Sequence, residues 1–464
     1  MKSIPPHPKQ TTRRQFLATS ASLVAPLILP ASAIGRDNRI PPSQRINLGL
    51  IGAGNQGWSV ANGIINLPGT QLTRVCDVDQ KAAAKAKDRI DQFYKSPDTQ
   101  VFHDYRELLD SDKLDAVIIG TPDHWHAAIA TAAIQAGKHV YCEKPLTHTV
   151  GQARALRELS QKSPVATQTG NQGAASDNFR RSIELIQAGL IGTVSEIHVW
   201  HPQHNWPNGE NRAATPDPIP DELDWNFWLG PAPARPYKTK KYHPILWRGW
   251  YDFGGGSLAD FCCHSFSMPI RALELDYPET IQVSGDGLGM DSFPTRCRVQ
   301  FSFPARNSRP PVNLFFHSGH EIYPPDHLLG GFRETFGSIE PTGCILVGSL
   351  GTLSAGLWNN NCYLRMNHET EFKHADKHQA ANAVPTRLPR VGGRHALEWI
   401  NACQGVGKTF SNFDVGGHAT EIGCAGLIAL QLGHNITWNG QPMLANPGQH
   451  LVNPPPRSEA RQYL

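Results

Sequence analysis

A chain of 464 residues exceeds what one ordinary hydrophobic core fills, so two domains are expected. Its composition, 39% hydrophobic and 18% charged with 42 glycines and 37 prolines, is that of a folded protein with many turns. The formal charge of +3 arises at the N-terminus, where Lys2, Lys9, Arg13 and Arg14 face no acid; the other 39 basic residues meet 40 acidic ones, which gives no electrostatic case for nucleic acid or an anionic membrane.

Residues 1–33 read as an address. Thr11-Thr12-Arg13-Arg14-Gln15-Phe16-Leu17 is a twin-arginine signal, an apolar run follows through Ile28, and Ala31-Ser32-Ala33 supplies a small-residue cleavage site. The run is short and rich in small residues, so no stable membrane anchor is expected. Export by the twin-arginine machinery to the periplasm, with cleavage after Ala33, is the expectation. That route carries folded proteins and suits one that loads a cofactor in the cytoplasm. Nine cysteines without regular spacing are not a disulfide framework, and buried thiols are expected.

After a linker over 34–45, a dinucleotide-binding domain is expected over 46–168. Arg45 to Ile51 is a buried-strand pattern running into Gly52-Ala53-Gly54-Asn55-Gln56-Gly57, and a helix-like segment, Trp58 to Asn66, follows. This is Gly-x-Gly-x-x-Gly in its strand–turn–helix setting. Gly52 allows the tight turn, Gly54 the approach of a pyrophosphate and Gly57 close helix–strand packing, with Asn55 and Gln56 as further cofactor contacts. Asp77 ends the next strand, twenty residues beyond Gly57. A carboxylate there accepts hydrogen bonds from ribose hydroxyls and repels a 2′-phosphate, which favours NAD over NADP. It can also cap the helix that begins near Asp79.

The βα rhythm continues through Leu114 to Ile119, which ends at Thr121-Pro122-Asp123-His124-Trp125-His126. His124 and His126 are expected where a nicotinamide ribose or substrate lies; no carboxylate or thiol stands at matching spacing, so no metal is expected. Lys138 to Cys142 then delivers Glu143-Lys144-Pro145. Proline restricts its predecessor and ends the strand, leaving a charged pair at the carboxyl edge of the sheet, where open α/β folds present ligands.

From 169 to 464 the character changes. Asp177 is expected to cap a helix, and from Val194 the chain alternates like an antiparallel sheet, with Ser195 to Trp200 and Arg296 to Phe303 as strands. Six of eleven tryptophans (Trp200, Trp206, Trp225, Trp228, Trp247 and Trp250) crowd together, equally compatible with a carbohydrate site, a subunit interface or a satellite core under a loop. Ser257 is expected to cap a helix on which Asp260 and His264, four apart, share a face; a carboxylate there can fix the imidazole's tautomer and raise its pKa. Arg394 to Gln404 and Asp414 to Gln431 read as helices under the second sheet.

In this order, the glycine fingerprint, Asp77, Thr121-Pro122, Glu143-Lys144-Pro145 and Asp260-x-x-x-His264 resemble the glucose–fructose oxidoreductase / inositol dehydrogenase / rhizopine-catabolism (Gfo/Idh/MocA) family over about residues 46–436. The resemblance implies a Rossmann domain followed by an α/β domain with a large, open, mostly antiparallel sheet, often used to form dimers or tetramers. It implies a tightly held NAD or NADP and a sugar or cyclitol substrate. Carried over, Lys144 holds the reacting hydroxyl, His264 takes its proton and Asp260 orients His264. Glu143 lies near the nicotinamide, and Asn171, Gln172, Trp247 and Arg248 are substrate-side residues. The reading is an exported dehydrogenase acting on a ring hydroxyl of a sugar or glycoside. The alternative is an NAD-dependent glycosidase working by oxidation, elimination and reduction. A non-catalytic sugar or cofactor sensor fits less well, since Lys144, Asp260 and His264 are all present.

Overall fold

Two sheets organise the computed structural model, which describes residues 45–202, 205–212, 215–307, 309–438 and 440. The twin-arginine stretch, its expected cleavage site and nearly all of the expected linker lie outside the described residues. Among those described, no helix is long and apolar enough to cross a membrane.

The first sheet has six parallel strands in the order β3-β2-β1-β4-β5-β6. They are β1 (Ile46–Ile51), β2 (Thr70–Cys76), β3 (Gln100–Phe102), β4 (Ala116–Ile119), β5 (His139–Cys142) and β6 (Thr167–Thr169). Every residue of β4 is buried, as a strand sandwiched between helices requires. The covering helices are α1 (Asn55–Ile65), α2 (Gln80–Tyr94), α3 (Tyr105–Leu109), α4 (Asp123–Gln135) and α5 (Val150–Gln161). Asp79, not Asp77, caps α2 by accepting from the amides of Lys81 and Ala82, which leaves Asp77 for other work. β1 and β4 diverge to opposite neighbours, so their carboxyl ends open the crevice where such folds bind ligands.

The second sheet has nine strands, mostly antiparallel, with one parallel pairing between β7 (Val194–His201) and β10 (Val312–Ser318). Beyond β10 come β9 (Arg296–Phe303), whose alternation buries Cys297, Val299, Phe301 and Phe303 against helices and turns the intervening residues outward, and then β8 (Thr280–Asp286), next to the edge. The helices on that buried face include α6 (Asp177–Gln187), capped by Ser176 with Asp177 in its first turn, and α7 (Trp225–Leu229) lies in the loop beyond β7. Then come α8 (Gly256–Ser265) and α9 (Ser267–Leu273). The cap of α8 is Gly255 rather than Ser257.

The last helices differ from expectation. Among α10 (Asp326–Phe336), α11 (Gln379–Asn382), α12 (His395–Cys403) and α13 (Phe413–Leu432), α12 was expected under the second sheet. Instead Trp399 and Ile400 join the first sheet's core with Leu48, Leu50, Ile118 and Tyr141. The period of an amphipathic helix tells which face is apolar but not which sheet will cover it. α13 begins with Phe413 in the first core and ends with Leu430 in the second. Midway, its fully buried Glu421 accepts from Arg154 (Nη2, 2.5 Å) and Arg157 (Nη1, 2.6 Å) of α5 and from Tyr277 (3.0 Å), so a costly buried charge is fully partnered.

Candidate active site

The glycine loop is built for backbone contacts. Gly52 has φ +84°, and a side chain there would sit 2.6 Å from the Thr121 amide nitrogen. At Gly57 a Cβ would fall 2.0 Å from the Gly52 carbonyl oxygen, so α1 approaches the strand as only glycine permits. Gly54 is different: no protein atom lies within 4 Å of where its Cβ would be. The helix behind it carries no side-chain cap, which leaves first-turn N–H groups and a partial positive charge for an anion. Asn55 is exposed beside this opening and Gln56 is half-buried. Asp77 seals the rear, its carboxylate accepting from the amides of Ala53 (2.7 Å) and Asp79 (2.9 Å). Burial raises its pKa and these two amides oppose the rise. Thr121 Oγ1 is buried without a hydrogen-bond partner. An open cradle over Gly54, an uncapped helix start and a carboxylate at the end of β2 together fit a dinucleotide.

Lys144 occupies the other side of the crevice. Its peptide bond to Pro145 is cis. Its ammonium lies 2.7 Å from Asp260 Oδ1 and donates to the Asp260 carbonyl oxygen at 3.0 Å. Arg248 Nε stands 3.6 Å from the same carboxylate oxygen, its guanidinium 4.4 Å from the centre of the Trp247 ring. Burial alone would raise the Asp260 carboxyl; Lys144 and Arg248 outweigh it and hold the group below the usual carboxylate range. The expected Asp260–His264 pair is therefore not made. Four-residue spacing puts both on one side of α8, but the carboxylate is drawn to the stronger cations.

His264 is left uncommitted. It is buried, neither ring nitrogen has a hydrogen-bond partner, and its ring lies 4.0 Å from that of Trp358. Burial, reinforced by the Lys144 charge, drives its pKa well down, opposite to the expected rise, so the imidazole is neutral at neutral pH with one unprotonated ring nitrogen to accept from a hydroxyl.

The remaining expected residues divide. Glu143 is buried and accepts from Gln172 Nε2 (3.0 Å) and from Gln56, linking the glycine loop to the junction. Gln172 also donates to the Tyr141 hydroxyl (3.1 Å), so its amide hydrogens serve the framework. Asn171 is fully buried and both atoms of its amide lack partners. Trp247 is an interior residue whose indole donates to the Pro244 carbonyl and whose ring lies against the Arg248 guanidinium. His124 and His126 were expected on the ligand; both are buried in α4 instead. His124 Nε2 meets the Trp228 carbonyl (3.0 Å), while His126 lies between the carbonyls of Pro145 (2.7 Å) and Thr121 (2.9 Å), tying together the two loops that face the cofactor cradle. Four of the six tryptophans resolve as a satellite core, Trp225, Trp228, Trp247 and Trp250 packing with Tyr237, Tyr242 and Phe253 beneath the loop, while Trp200 packs with Phe332 and Phe372 and Trp206 against the second sheet's core.

Two residues escaped the sequence reading. Asp123 opens α4 almost fully buried; burial raises its carboxyl well above the ordinary range despite Arg248 and Lys144, and Asp260 adds to the rise. A lone aspartate at a helix start looks like a cap, so nothing in the sequence marked it. Trp358 lies far from the tryptophan run and carries no motif. All nine cysteines are unpaired, eight of them buried. Among the described residues no three His, Cys, Asp or Glu side chains are placed to hold a metal ion.

Comparison with known proteins places the chain. Residues 46–171 match the profile of an oxidoreductase family described as NAD-binding Rossmann fold, and residues 179–304 match that family's C-terminal alpha/beta domain. A glycosyl hydrolase family 109 protein of Shewanella sp. is 31% identical over 205 residues, 39% of this chain and 44% of that one. An alpha-N-acetylgalactosaminidase of Shewanella oneidensis is 32% identical over 187 residues, 38% and 39% of the two chains. The chain thus spans less than half the length of these relatives. Among solved structures, a levoglucosan dehydrogenase in complex with NADH and L-sorbose superposes with TM-score 0.55 at 17% identity, covering 85% of this chain and 99% of that one. The WlbA dehydrogenase of Bordetella pertussis, in complex with NADH and UDP-GlcNAcA, gives 0.58 at 16% identity, covering 85% and 98%.

Proposed function

The chain belongs to the Gfo/Idh/MocA oxidoreductase family, and from that premise we propose that it is an NAD-dependent dehydrogenase acting on a ring hydroxyl of a sugar or glycoside. One observation carries the reading: the Lys144 ammonium, only a tenth exposed, stands at the domain junction, where its charge acts on the uncommitted neutral imidazole of His264. A nicotinamide held in this cradle would supply the acceptor or donor for a hydride at the substrate carbon. Lys144 donates a hydrogen bond to the reacting hydroxyl and favours the partial negative charge that grows on its oxygen. His264 accepts the hydroxyl proton. Asp260 anchors the ammonium from behind and offsets its charge, a positioning role different from orienting the imidazole. Gly54 and the start of α1 hold the pyrophosphate, Asp77 the adenosine ribose, and Glu143 ties Gln56 of that cradle to the junction.

Retention of a tightly bound cofactor, export along the twin-arginine route and assembly as a dimer or tetramer complete the proposal. The Arg13-Arg14 stretch supports export. Assembly rests on the family resemblance, with the outward face of the second sheet, where Arg298, Gln300, Ser302 and Asn313 stand, as the surface it would use. Sedimentation of exported protein and the sequence of its N-terminus test both; a monomer, or an N-terminus at Met1, contradicts them.

A second reading, redox-neutral cleavage of a glycosidic bond, is favoured by the hydrolase names of the curated relatives. Mass spectrometry of products from a glycoside panel separates the two. Loss of two hydrogens with the glycosidic bond intact supports the dehydrogenase, and release of the free sugar with no loss of hydrogen supports the hydrolase. An unchanged panel contradicts both.

A further inference from the structure

A cavity of about 470 Å³ lies between the 172–178 segment and the loop carrying Trp358. Two of its walls connect it to the site. Gln172 donates to Glu143, and Trp358 covers His264, meeting Phe261 edge-on at 6.4 Å. Trp358 is nonetheless 41% exposed, the one tryptophan among the large apolar side chains left open in the described residues. Its backbone is firmly seated: a Cβ at Gly173 would fall 2.0 Å from the Trp358 carbonyl oxygen, so glycine lets the two segments close together. An indole held rigidly at a cavity wall offers a flat apolar face at low entropic cost, which suits the C–H face of a pyranose ring.

The polar lining narrows the ligand. Of its polar groups, the Ser176 hydroxyl caps α6 and the Asn178 amide nitrogen donates to the Asn360 carbonyl (3.0 Å), which leaves the Asn178 amide oxygen and the Asn360 side-chain amide to a ligand, and Asp177 supplies the only charge among the lining residues. With a carboxylate and no cation, this lining disfavours phosphate and nucleotide-linked sugars and accepts neutral hydroxyls. The volume lies in the ordinary range for a small-molecule site.

We propose that this cavity is a second saccharide subsite, holding the ring on the far side of the glycosidic bond while the first ring meets Lys144 and His264. The substrate class is then a neutral glycoside with at least two rings, an assignment that rests on the dehydrogenase reading above. The test uses holoprotein with cellobiose, maltose, lactose and melibiose, each against the methyl glycoside of its non-reducing sugar, with UDP-glucose as the charged control. For sugars that are oxidised, kcat/KM for the disaccharide exceeds that for the methyl glycoside, and the ratio falls about tenfold in Trp358→Ala while Trp358→Phe retains most of it. Reading the ratio removes any common loss caused by uncovering His264. If no sugar is oxidised, the dehydrogenase reading fails and calorimetry reads the subsite alone: disaccharides bind more tightly than methyl glycosides, UDP-glucose shows no gain, and Trp358→Ala erases the difference. A ratio unmoved by Trp358→Ala, equal binding of mono- and disaccharides, or preference for UDP-glucose overturns the subsite.

Discussion

The two walls of the crevice are made of different materials. The cofactor wall is backbone: a turn at Gly52, an open approach over Gly54, a helix pressed against the strand at Gly57, and one carboxylate, Asp77, holding the loop by its amides. The substrate wall is side chains from distant segments, Lys144 at a strand end, Arg248 in a loop, Asp260 and His264 on α8, and Trp358 beyond the second sheet's middle. A backbone site tolerates no change of size, whereas a side-chain site depends on which partner each charged group selects.

The largest expected effect is on the substrate wall. Asp260→Ala leaves the Lys144 ammonium buried without its carboxylate; both side chains are less than a fifth exposed. A loss of about 3–5 kcal/mol is expected in denaturant unfolding. Because the folded Asp260 carboxyl is lowered, the gap between the two proteins is full above the unfolded carboxyl's value, about pH 4. It closes as pH falls from there through the lowered folded value. A pH-independent gap contradicts the pair.

On the cofactor wall two alanines separate fold from binding. Gly57→Ala forces a methyl against the Gly52 carbonyl and should cost about 1–3 kcal/mol of stability. Gly54→Ala meets no protein atom, so it should melt normally yet bind NAD poorly, as read by calorimetry. Equal melting temperatures for both variants would contradict the distinction. Asp77→Ser should weaken NAD binding about tenfold or more and narrow the preference over NADP, checked by titrating both cofactors. The smallest effect is at Asp123. Its raised carboxyl binds its proton more tightly when folded, so its contribution to stability declines as pH climbs from the unfolded value to the folded one. Asp123→Asn should remove that decline and raise the melting temperature at neutral pH by a few degrees.

The cofactor wall was legible because its residues are contiguous and their spacing is set by backbone geometry. Gly52, Gly54, Gly57 and Asp77 stand where strand, turn and helix must put them. The substrate wall was legible only in part. Lys144 was marked by its strand end and proline, but the partner of Asp260 is chosen by charge strength across the fold, which α8 spacing cannot reveal. His124 and His126 misled because a strand's carboxyl end names a region, and the next helix turned both rings inward. The tryptophan run left three readings open, because aromatic density shows that a core or platform exists and only burial says which; for four of its members it is the satellite core. Trp358, alone in its stretch, had no neighbour in sequence to announce it.

The central claim is that Lys144 serves hydride transfer and not cofactor retention. Holoprotein and Lys144→Ala, loaded with equal NAD, are mixed with the best glycoside of the panel and followed in a single turnover at the reduced-nicotinamide band. The unsubstituted protein should reduce its bound cofactor, and the variant should keep the cofactor while reducing it about 10²–10⁴-fold more slowly. Reduction at equal rates in the two proteins would contradict the account.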